Sequence, residues 1–93
     1  MIFWIGPTAY SSASAVAIVR EMERNAPDYP HKGGSLRQFL RWSFAQLGDN
    51  IPSRELALSN QVSDETLALS FLCLLDEYGL GELRVMPEQG QRV

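Results

Sequence analysis

The sequence predicts an α+β fold, mainly helical, with four helices and a small antiparallel sheet made from an N-terminal and a C-terminal strand. Three observations predict it. Short runs near the two ends, Ile2-Phe3-Trp4-Ile5 and Glu82-Leu83-Arg84-Val85-Met86, have strand character. Between them, apolar side chains recur at helical spacing. Glycine, proline and serine fall where these patterns change. The 93 residues form one domain, 1–93, a size that buries roughly 60–70% of the unfolded surface.

The elements follow in chain order. Residues 2–5 read as a strand that Gly6-Pro7 ends, and Ser11 or Ser12 then caps the first helix, 12–24. Ala15, Ile18, Val19 and Met22 give that helix an apolar face at i, i+3, i+4, i+7. Two prolines and two glycines make residues 25–34 a loop. Ser35 and Gln38 have capping-box spacing and open a second helix, 36–47, closed by Gly48. Its core stripe is Leu36, Phe39, Leu40, Ser43 and Leu47, with Phe44 at one edge. A short third helix is expected over 53–60, after Pro52. The fourth runs from Asp64 to Tyr78, with acids in its first turn and Gly79 at C′. Leu67, Phe71, Leu74, Leu75 and Tyr78 share its broad apolar face, extended by Ala68 and Leu72.

Composition narrows the classes of function. An apolar fraction of 45% and a charged fraction of 20% are those of a folded protein. The net charge of −3 creates no general attraction to nucleic acid or anionic lipid. The single cysteine, Cys73, excludes an internal disulfide and fits a reducing, cytoplasmic setting. No run approaches the roughly 18 apolar residues of a membrane span. Ala13-Ser14-Ala15 resembles a signal cleavage site, but the basic segment is missing and the apolar run stops at Gly6, short of the about 7–15 residues needed. Secretion is not expected.

The stretch Gly6 to Ala13 raises the question of a phosphate-binding loop, G-x-x-x-x-G-K-[ST]. Gly6 fits the first position. Ser11 stands where the second glycine belongs, Ser12 replaces the lysine and Ala13 the hydroxyl residue. Without the lysine's charge the loop loses its main hold on phosphate. A strand end followed by a helix cap explains the same residues.

Residues 54–85 carry Leu56-Ala57, Val62-Ser63, Thr66, Leu74 or Leu75, and Gly79-Leu80. This pattern resembles the core of a winged helix-turn-helix domain. The resemblance covers about a third of the chain and departs from the family at Asn60-Gln61, where a leucine and a glycine are usual, and in a second helix one residue longer. It implies a winged-helix scaffold whose second helix is the one from Asp64, with the C-terminal strand in a wing-like place. In DNA-binding members that helix enters the major groove. Here its outward positions are Thr66, Ser70, Cys73 and Glu77, and residues 55–83 contain no Arg or Lys. DNA affinity rests largely on neutralising phosphates. The scaffold therefore points to a protein-binding module first, and to a sequence-specific, dimeric DNA-binding regulator as the alternative.

Chemistry-bearing side chains are sparse. His31 stands alone in a loop beside Lys32, with no partners at metal-ligand spacing. Cys73, mid-helix, reads as a buried, inert thiol. Asp76 and Glu77 are adjacent and point about 100° apart, so they make no carboxylate pair. No catalytic residue, cofactor site or metal site is expected. The best surface lies on the second helix. Arg37 and Arg41 stand at i, i+4 away from the core stripe, with Trp42 on the flank of that face. Tryptophan and arginine are enriched in interface hot spots. Trp42 alternatively packs under the 25–34 loop or against helix one. Tyr29 in that loop completes the candidate partner-binding set: Arg37, Arg41, Trp42 and Tyr29. The expected function is a non-enzymatic adaptor or regulatory module whose partner is another protein, a second copy of this chain included.

Overall fold

The computed structural model describes residues 1–48 and 61–85. Within them lie strands β1 (Ile2–Ile5) and β2 (Thr8–Ser11), helices α1 (Ala15–Asn25), α2 (Leu36–Leu47) and α3 (Asp64–Glu77), and strand β3 (Glu82–Arg84). The fold is α+β; the described residues form three helices and a three-stranded antiparallel sheet of order β2-β1-β3. The expectation of four helices is not met among the described residues. The segment assigned to the extra helix, 53–60, lies outside them, as do Leu56-Ala57 and Asn60 of the winged-helix pattern.

The N-terminal and C-terminal strands pair as expected, with Phe3 opposite Leu83. The strand β2 is an addition. Gly6-Pro7 does not simply end a strand; it is a two-residue hairpin turn that sets Ile5 opposite Thr8. Gly6 has φ +58, and proline restricts φ of the second turn residue to about −65°, the combination a type II′ turn requires. The hairpin moves the helix cap downstream. Ser14, not Ser11 or Ser12, accepts from the Ala17 N–H at 3.1 Å.

The other two helices start in the same way. Ser35 Oγ accepts from Gln38 N at 3.1 Å, and Ser63 Oγ from Thr66 N at 3.2 Å. Each serine thus satisfies one donor that a first helical turn leaves open. Helix α2 matches its predicted bounds, with Gly48 as C-cap.

The core lies between one face of the sheet and the three helices. Phe3 is fully buried, flanked on the same face by its cross-strand neighbours Tyr10 and Leu83. Ala15, Ile18 and Val19 from α1 meet Leu36, Phe39, Leu40 and Phe44 from α2 and Leu67, Ala68, Phe71, Leu72 and Leu75 from α3. Phe44 and Phe71 pack edge to face at 5.4 Å. Gly81 lets β3 approach β1: a Cβ there would stand 2.3 Å from the Phe3 ring. One assignment needs correcting. Tyr78 is 44% exposed rather than on the core face, because α3 ends at Glu77 and the chain turns away. Leu47, Leu74 and Met22 are half-buried and pack against the core from its margin.

Candidate protein-interaction surface

The surface begins with a loop clasp that the sequence reading missed. Glu23 is only 2% exposed. Its carboxylate accepts from Arg20 Nη1 at 2.9 Å and from the Gly33 N–H at 2.9 Å. Arg20 Nη1 also donates to the Gly34 carbonyl at 2.7 Å. A buried carboxylate is tolerated when both of its oxygens are engaged, and here they tie the 26–34 loop to α1. The only sequence signal was the Arg20–Glu23 spacing of i, i+3.

Held this way, the loop inserts Tyr29 under α2. Tyr29 is 3% exposed and packs its ring against Phe39 and Trp42, both at 5.1 Å, with His31 at 6.1 Å. Trp42 stacks on Phe39 at 6.1 Å with 24° between planes. Trp42 is therefore half-buried, resting on a platform of two buried rings under the 25–34 loop. The Tyr29 hydroxyl is buried without a hydrogen-bond partner among the described residues. Burial, and then the nearby Glu23 carboxylate, push its pKa up from the usual tyrosine value.

The four candidate residues are thus placed differently. Tyr29 is inside, because its ring fills the space between loop and helix. Arg37 is half-buried; it donates Nη2 to the Val62 carbonyl and lies 3.8 Å from Asp64, tying α2 to the start of α3. Arg41 is exposed, beside the half-exposed ring of Trp42, with Gln38, Ala45 and Gln46 completing the outer face of α2. Residues 20–41 carry five cationic side chains against three acids, whereas 61–85 carry one against five.

The outer face of α3 is as anticipated at Thr66, Cys73 and Glu77, all exposed, with Ser70 half-buried. Cys73 carried two expectations: helical spacing places it outward, which holds, and its apolar surroundings suggest a buried thiol, which does not, because the apolar face of α3 runs through Leu67, Phe71 and Leu75. Leu69, 40% exposed, shares the outer face, flanked by Glu65 and Asp76. On β3, Arg84 pairs with Glu82 of the same strand at 3.1 Å and lies 5.5 Å from the centre of the Trp4 ring on β1. Trp4 also borders a shallow cleft of about 290 Å³ with Gly6, Gly79, Leu80, Gly81 and Glu82. Among the described residues no three His, Cys, Asp or Glu side chains converge on a metal-sized site. No described helix is long and apolar enough to cross a membrane.

Comparison with protein-family models, with curated proteins and with solved structures finds no match to this chain.

Proposed function

We propose that this chain is a non-enzymatic protein-binding module on a winged-helix-like scaffold, and that its partner docks on the outer face of α2. The observation that carries this reading is Trp42, half-exposed beside the exposed Arg41 and held from below by Tyr29 and Phe39. A large side chain fixed before contact loses little conformational freedom on binding. Tryptophan and arginine are also the types that dominate hot spots. The cationic excess of residues 20–41 favours a partner surface that is acidic around an apolar recess.

The alternative, a DNA-reading α3, is disfavoured by the helix itself. Its exposed residues include Asp64, Glu65, Asp76 and Glu77, and it contains no cation to meet phosphate. The test uses two substitutions and two ligands. Trp42→Ala and Arg41→Glu should each weaken capture of a host protein by about thirtyfold, the scale of a 2 kcal/mol hot spot. A random-sequence duplex pool should not bind at physiological salt. Salt-sensitive, sequence-selective duplex binding would overturn the proposal in favour of DNA reading.

A further inference from the structure

Among the described residues, nothing covers the edge of the sheet at β2. The hairpin turn makes Ile5 and Thr8 the closing hydrogen-bonded pair, and hydrogen-bonded pairs alternate along an antiparallel ladder. The 3.0 Å bond from Ser12 N to the Met1 carbonyl is the same alternation at the far end. Met1, Phe3 and Ile5 therefore aim their backbone groups at β2, whereas Ile2 and Trp4 aim theirs at β3. On β2, Thr8 and Tyr10 bond to β1. The N–H and C=O groups of Ala9 and Ser11 point outward, away from the sheet.

Both residues are exposed, and among the described residues no hydrogen bond engages those outward groups. Soluble proteins usually guard such an edge with a charge, a proline, a bulge or a covering segment. Here Pro7 sits in the turn rather than on the strand, and the first charged side chain of the whole chain is Arg20. The opposite edge, β3, carries Glu82 and Arg84 and, by the same alternation, exposes the backbone groups of Leu83 alone.

We infer that β2 is a self-association edge that pairs antiparallel with β2 of a second copy about a twofold axis. The register follows from the outward groups. Ala9 pairs with Ser11 of the second copy and Ser11 with its Ala9, giving four backbone hydrogen bonds. The two Tyr10 side chains then face each other at the axis as a close, non-hydrogen-bonded aromatic pair. The result is one six-stranded sheet. A second copy is the occupant because this register is self-complementary and both edges are free of charged side chains, so the net −3 of each chain adds no repulsion at the seam. Four residues on each side bury little area, which places the dimer in the weak, concentration-dependent class. This inference does not depend on the α2 face, which lies on a different element.

Sedimentation velocity across a concentration series tests it, with amide hydrogen exchange read by NMR on the same samples. Wild type should shift from monomer to dimer by about 1 mM, as a weak interface allows, and the Ala9 and Ser11 amides should gain protection with concentration. Ser11→Pro removes an outward N–H without touching the ladder to β1. It should keep the wild-type circular dichroism spectrum and weaken the dimer at least about tenfold, a 1.4 kcal/mol effect. Lysine at both Ala9 and Ser11 should also abolish self-association. Mixing that variant with one carrying glutamate at both positions should restore a dimer. A wild type that stays monomeric to about 1 mM, or a dimer indifferent to Ser11→Pro, overturns the inference.

Discussion

The carboxylate of Glu65, in the first turn of α3, accepts a hydrogen bond from the backbone N–H of Ala15 at 2.9 Å. Fifty residues apart in sequence, the two positions join the starts of α1 and α3. The charge sits at the positive end of the α1 dipole, while α3 relies on Ser63 for its own cap. Glu65→Ala should lower stability by about 0.5–2 kcal/mol, the range for losing an N-terminal cap acceptor. Glu65→Gln keeps an acceptor and should lose less. Urea melts should show the shift as a change in midpoint at constant slope.

Tyr29 offers a test that turns on pH. Its pKa is raised, by burial first and by Glu23 second. A group with a raised folded pKa contributes stability below its unfolded value, near 10, and loses that contribution as pH climbs. Stability should therefore decline above pH about 10 in part through Tyr29. Tyr29→Phe removes a buried hydroxyl that has no partner among the described residues. It should be neutral or stabilising at pH 7 and should reduce the alkaline loss. Denaturant melts at both pH values check it, and a loss above about 1 kcal/mol at neutral pH would mean the hydroxyl is bonded.

Phe71 is 3% exposed and packs edge to face on Phe44. Phe71→Ala should cost about 3–5 kcal/mol, a large part of the roughly 5–15 kcal/mol available to a domain. Chemical denaturation reads this directly, and a wild-type melt would place Phe71 at the surface.

Much of the fold was legible because periodicity and caps agree. The 36–47 helix has Ser35 before it, Gly48 after it and one apolar stripe, so local and global signals coincide. Strand β2 was not legible. Thr8-Ala9-Tyr10-Ser11 has no apolar alternation, since only Tyr10 turns inward and the strand sits at an edge. Cys73 drew opposed readings, outward by spacing and buried by its apolar neighbours, because a helix apolar on most sides gives periodicity little to discriminate.

The candidate surface was legible in its residue types and not in its geometry. Arg37, Arg41 and Trp42 share a helix, which spacing reveals. That Tyr29 lies beneath Trp42 depends on Glu23 bonding a loop N–H ten residues away, and no local pattern encodes that contact. Likewise Arg37 reaches the Val62 carbonyl through tertiary packing alone.

The central claim is that partners dock on the outer face of α2 and not on α3. The most direct measurement places a photo-crosslinking phenylalanine analogue at Ala45 in one sample and at Thr66 in another, then irradiates each in host extract. Both positions are exposed, so neither replacement disturbs the core. A discrete protein adduct from Ala45 that fades in the Arg41→Glu background, with none from Thr66, is the result predicted. Adducts formed from Thr66 alone, to protein or to DNA, would contradict the claim and move the site to α3.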